Sequence, residues 1–478
     1  MGFWHKQAET AVLGFSVFIT LLYLPFAVPL QFAANQQDYV RIAGASCLVT
    51  AALTLLTAIR VGLPVATIPA LGPALLLAPL VQSGQVSVEA MAIGCILTAA
   101  VTWGLAITGA RRVLLDQLPE EIFLGIRAAV GSIVALTSLE LIDSYPRESK
   151  AILFPLFYTA IAGMLLWDRW MSAKRRDGEH RSTLLYFLTQ LHYLAIPVAL
   201  AAIAFHWNLI PDSGPEFQKL LPSENKPAEQ ALVMLPVCVA LLFLLVTDIP
   251  GHPYDIMQSR EVLPRLKNPR HIDRRVRRGF KVDAIGTAVS GLCFFFHIPV
   301  PPPLYVTENN LIRDFNFISN IAGFYAALLF AGLGACLLVY PGDAFMWSRY
   351  AFLAVAPVLA FISIKMIARS MIKDQEVEED HAPAAPEGSP PASAAPSRQL
   401  APPQFKRYAD AVDFYIPAAL IILLTSFPKV PLVLALPVTV VASCLFRVLR
   451  KAEVEPAVWV SFVCAAISMF CWFVVQYL

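Results

Sequence analysis

Apolar runs of roughly 18 or more residues recur from one end of this 478-residue chain to the other. No other feature narrows the possible folds as far. In hydrocarbon every amide and carbonyl needs an internal partner, so runs of this length are helices. Only 15% of the residues are charged and 57% are hydrophobic, where a soluble domain keeps about a quarter charged. The fold class is therefore an all-α polytopic membrane protein. The first run, Ala11 to Ala33, is too long for a signal peptide and lacks a clear cleavage site, so it reads as the first span. The eight cysteines stand singly in apolar segments without metal-ligand spacing. They read as small buried hydrophobes, and no metal or cofactor is expected.

Helices are expected at roughly 9–33, 40–60, 66–82, 87–110, 118–142, 150–169, 184–206, 229–250, 279–298, 307–314, 316–341, 345–371, 408–427, 429–449 and 457–477. Positive loop charge marks the cytoplasmic side. Arg111 and Arg112 follow the fourth segment, Arg169, Lys174, Arg175, Arg176 and Arg181 the sixth, and a strongly basic stretch from Arg260 to Lys281 the eighth. The N-terminus is then cytoplasmic, in a cell (inner or plasma) membrane. The basic stretch reads as a topology determinant rather than a nucleic-acid patch. Residues 375–407, acidic and then rich in Ala, Pro and Ser, cannot bury a core and read as a disordered linker.

Two apolar segments are interrupted. Around Pro299–Arg313, three prolines (Pro301, Pro302, Pro303) fix an extended backbone and remove amide donors. Thr307 can cap a new helix there, with Glu308 in its first turn. The third segment, GLPVATIPALGPALLL, has Pro64 and Pro69 to hold the chain extended, Gly72 for a tight approach and Pro73 for a helix start. Irregular backbone inside a bilayer survives only in protein or against a water-filled cavity. The breaks are third and tenth in order, the separation that two inverted seven-helix repeats produce. Paired broken helices of this kind point to a midplane site, where two half-helix N-termini present free amides and partial positive charge.

Short patterns around these breaks resemble those of the xanthine/uracil (nucleobase–ascorbate) permease family, nearest its adenine/hypoxanthine branch. GLPVATIPALGPALLL resembles its third-helix pattern, PEEIFLGIRAAVG at Pro119–Gly131 the opening of its fifth helix, and LLVTDIPGH at Leu244–His252 its eighth. DAIGTAVSG at Asp283–Gly291 resembles its ninth-helix pattern, and TENN sets Glu308 on its tenth-helix glutamate. The resemblance implies about fourteen spans as two inverted seven-helix repeats, a core and a gate domain, and a homodimer through the gate. Residues 1–206 form the first repeat, 207–374 helices eight to twelve, and 408–478 the last helices beyond the linker. The count of fifteen segments exceeds this by one. Either two segments within 408–449 form one irregular element, or 457–477 lies on the surface.

The resemblance further implies proton-coupled uptake of a nucleobase by elevator-type alternating access. Glu308 is then the main substrate ligand, with Asp248 as partner or proton carrier and Asp283 as a further coupling carboxylate near the start of the ninth helix. Asn309, Thr307, Tyr305, Ala70 and Gly72 complete the expected substrate contacts. The site departs from the family pattern in PVPPPLY, in Arg127 and in the stiff Thr247–Asp248–Ile249–Pro250 run. His297 could relay protons or be structural, while His252 and Asp255 read as helix-ending residues. The alternative keeps the fold and changes the cargo to an anion such as sulfate, bicarbonate or a carboxylate. Arg127 and Arg313 favour it, whereas Glu308 and Asp248 oppose it. No His-Glu-x-x-His and no Gly-x-Ser-x-Gly occurs, so a transporter rather than an enzyme is expected.

Overall fold

The computed structural model describes residues 3–61, 65–108, 120–176, 191–210, 217, 229–235, 237–239, 241–242, 270–300, 303–307, 318–342, 349–372 and 466. The chain opens with α1 (Phe3–Leu21) and α2 (Leu24–Ala27), followed by a 3-10 turn at Pro29–Gln31. The first span is thus jointed rather than one helix over 9–33. Pro25 and Pro29 supply no amide hydrogen to the ladder, and each falls at the start of a new short piece. Next comes α3 (Gln36–Arg60), which begins earlier than hydropathy alone suggests because Asn35 caps it. Its side-chain oxygen accepts the amide of Asp38 at 2.8 Å.

After α3 the backbone extends as β1 (Val65–Pro69) and becomes helical again in α4 (Leu71–Gln82). The remaining elements are α5 (Val88–Thr108), α6 (Glu120–Asp143), α7 (Arg147–Arg176), α8 (His192–His206) and α9 (Glu229–Val239). They are followed by α10 (Arg270–Phe295), β2 (Pro303–Thr307), α11 (Ile318–Val339) and α12 (Ala351–Ile372). Five helical segments among the described residues are long and apolar enough to cross a bilayer. The linker 375–407 and the last helices expected over 408–478 lie outside the described residues, apart from position 466.

The packing carries the internal repeat. The most extensive helix contacts are α3 with α11, α5 with α10 and α6 with α12. Exchanging each element for its counterpart seven spans away sends α3 to α10, β1 to β2, α5 to α11 and α6 to α12. That exchange turns the α3–α11 pair into α10–α5, and the α3–β1 contact into α10–β2. It leaves α6–α12 and β1–β2 each paired with themselves. All of these contacts are present, so the described elements form two inverted repeats about an axis through the strand pair.

Glycines set the closest crossings. A Cβ on Gly334 of α11 would stand 2.9 Å from the Gly44 carbonyl of α3, and one on Gly291 of α10 would stand 2.7 Å from the Ala92 carbonyl of α5. Such approach is the usual basis of helix association in lipid, where apolar surface alone gives little drive.

Candidate functional site

β1 and β2 pair antiparallel, with Val65 opposite Thr307, Thr67 opposite Tyr305 and Pro69 opposite Pro303. The two interrupted segments therefore meet, and the centre of their pairing, Thr67–Tyr305, lies on the repeat axis. Within β1, Val65, Thr67 and Ile68 are β-branched and suit a pleated ribbon. Pro69 and Pro303 end the ladder, as residues with no amide hydrogen must. The third segment is accordingly a strand plus a shorter helix, not a helix over 66–82. Pro73 is third in α4 rather than first.

Ala66, Thr67 and Ile68 are fully buried, and α3 anchors the strand through hydroxyls. The Thr57 hydroxyl meets that of Thr67 at 2.7 Å, and the Thr67 amide donates to Thr54 Oγ1 at 3.2 Å. Ala70, in extended conformation, is the N-cap of α4 and offers no side-chain hydrogen bond. The amides of Leu71 and Gly72 have no partner within the helix, as in any first turn, and Pro73 has no amide to offer. Above this end there is room, since a Cβ built on Gly72 meets nothing within 4 Å. Gly72 thus opens space at the helix tip; close packing against another segment is not its role.

Thr307 closes β2, and Tyr305 sits at its centre. Glu308, Asn309, Asp248, His252, Asp255 and Arg313 lie outside the described residues. Arg127 belongs to α6. Asp283 is not near a helix start. The basic run after Arg270 is already helical, so α10 begins thirteen residues before Asp283, and a dipole at the N-terminus gives this carboxylate no support. It is fully buried, and neither oxygen has a hydrogen-bond partner among the described residues. Two contacts set α10 against α5, Lys281 over the Trp103 ring and Gly291 against the Ala92 carbonyl. In this antiparallel register Asp283 lies level with Ala100 and Val101, and Thr287 level with Ile96 and Leu97. Burial mid-helix was not legible in the sequence, because only the α5 and α3 contacts reveal it.

His297 has a left-handed backbone, φ 55°, as it turns the chain out of α10 toward β2. Its Nδ1 lies 3.7 Å from Glu89 Oε1, and both side chains are largely exposed. The pair ties the end of α10 to the start of α5.

Among solved structures, the transmembrane domain of a cyanobacterium bicarbonate transporter, BicA, superposes with a TM-score of 0.50. It is 13% identical and covers 79% of this chain and 93% of that one. No family model and no curated protein matches the sequence. The resemblance to nucleobase permeases does not hold against these findings. Of the patterns that suggested it, GLPVATIPALGPALLL falls on a helix break, while DAIGTAVSG lies inside α10 and places Gly291 at the crossing with α5. An inverted repeat with crossed, interrupted helices needs such residues whatever it carries.

Proposed function

We propose that this chain is a secondary transporter of a small anion, bicarbonate or an oxyanion of similar size. The observation that carries the reading is the strand pair, which fixes the uncapped N-terminus of α4 in the middle of the fold with open space at Gly72. Free amides and the helix dipole at such an end favour negative charge. The likeness to a bicarbonate transporter's domain supports the same cargo class. Alternating access then follows from sliding the strand-bearing helices α3, α5, α10 and α11 against α6, α7, α8 and α12.

Asp283 serves as the coupling group in this reading. A buried carboxylate without a partner is costly when charged, so it takes up a proton when shut in and releases it where water enters. Uptake of labelled bicarbonate and sulfate into proteoliposomes tests the proposal. Gly72→Val should lower anion uptake at least tenfold with an unchanged melting temperature. Asp283→Asn should leave uptake that no longer responds to an imposed pH gradient. Uptake blocked by purines but by no anion would overturn the reading.

A further inference from the structure

We infer that one face of α3 lines a water-filled path from the Gln36 end of the helix to β1, shut in the conformation described. Residues 36, 39, 43, 46, 50, 54 and 57 follow each other at spacings of three and four and so share one stripe. Along it Gln36 Nε2, Tyr39 Oη, Ser46 Oγ and Thr50 Oγ1 are buried with no hydrogen-bond partner among the described residues. Tyr39, Ser46 and Thr50 are at most 1% exposed.

Most other buried helical hydroxyls are treated differently, Thr98 of α5 being a further one without a partner among the described residues. Buried Ser and Thr commonly fold back onto the carbonyl one turn earlier. Here Ser16, Thr20, Thr102, Thr137, Thr287 and Ser363 do so on other helices, and Thr57 does so at the β1 end of α3. Ser46 and Thr50 decline that bond, although their own helix offers it. At the far end of the stripe Thr54 and Thr57 hold Thr67 of β1, so the line of polar groups leads to the strand pair.

The α11 contact does not account for the stripe. At its closest approach to α11, α3 presents Gly44, Cys47 and Leu48, centred roughly a third of a turn round the helix from the stripe. A buried, unpaired hydroxyl is a standing cost, and a series of them at helical spacing is what a water file needs as its wall. The path ends at the site proposed above and rests on that reading for its purpose, though its test does not require transport.

The test uses the full chain in membrane vesicles with a small water-soluble methanethiosulfonate, and modification is located by mass spectrometry. Ser46→Cys and Thr50→Cys should react at least tenfold faster than native Cys47, which faces α11 and serves as internal control. Rates no faster than that of Cys47 would overturn the path. Should the variants fail to accumulate, water radiolysis on the unaltered protein decides. Tyr39 should then oxidise several-fold faster than the equally buried but hydrogen-bonded Tyr145, and equal rates would sink the path. Thiol labelling without anion uptake refutes the transport reading and keeps the path, whereas uptake without labelling does the reverse.

Discussion

The strand-bearing helices and the second group, α6, α7, α8 and α12, solve helix packing differently. In the first group Ser46, Thr50, Thr54, Thr57, Thr67, Thr98, Asp283, Thr287 and Ser290 are fully buried, and Thr54 and Thr57 hold Thr67 of β1. Several of their polar atoms have no partner among the described residues. In the second, Thr137, Ser138 and Ser363 each donate to a carbonyl of their own helix. Phe361 there meets His192 and Tyr193 edge-on, and Lys365 pairs with Asp168 at 2.8 Å. Unsatisfied polar groups have thus been concentrated where a ligand or water can complete them, while the facing group is closed by rings and local hydrogen bonds. Retained polarity in a membrane interior marks the working part.

Five substitutions sharpen or break that contrast. Gly291→Leu pushes a side chain into the Ala92 carbonyl, and about 3 kcal/mol of destabilisation is expected, near the upper end for overpacking. Gly104→Ala on α5, where a Cβ meets nothing within 4 Å, should instead be neutral or slightly stabilising. Thermal unfolding in detergent compares the two, and equal losses would remove the glycine crossing as the organising contact.

Tyr145→Phe comes next. The phenol donates to the Arg349 carbonyl at 2.7 Å and accepts the Leu353 amide at 3.2 Å, locking the turn between α6 and α7 to the start of α12. Its loss takes a hydrogen bond from both backbone groups and should cost about 2 kcal/mol. Burial raises this phenol's pKa, so the proton stays on in the folded state. The stabilisation is present below the unfolded value of about 10 and falls as pH rises beyond it. A flat difference between parent and variant from pH 6 to 9 is therefore expected, and a slope inside that range contradicts the assignment.

Thr67→Val removes the hydroxyl contact to Thr57 but leaves the bond from Thr57 to the Leu53 carbonyl. A loss of about 1 kcal/mol is expected, with anion binding by calorimetry reduced more than stability. Stability reduced while binding is untouched would make the strand anchor merely structural. Smallest is Lys365→Met, which breaks a partly exposed ion pair and should change stability by under about 1 kcal/mol. A larger effect would show that the second group depends on buried charge after all.

Membrane residence, the helical class, the two interruptions and their seven-span separation were all legible in the sequence. Each rests on local chemistry: apolar run length, proline without an amide hydrogen, glycine at a turn. The cargo class was not legible, because the motifs GLPVATIPALGPALLL and DAIGTAVSG record what helix breaks and close crossings require and carry no imprint of a ligand. Nor did the sequence disclose that the breaks pair as strands, since pairing is a long-range contact between residues 65–69 and 303–307.

Asp283 shows the same division at a single residue. Its position in the chain suggested a helix end, but whether a carboxylate is buried depends on which neighbouring helices cover it. The Ser46 and Thr50 stripe is visible as spacing in the sequence, yet only packing leaves its hydroxyls without partners. Local propensity writes the elements of this protein one at a time. Partnership between them, and therefore which polar groups are left wanting, is decided only when the two repeats close on each other.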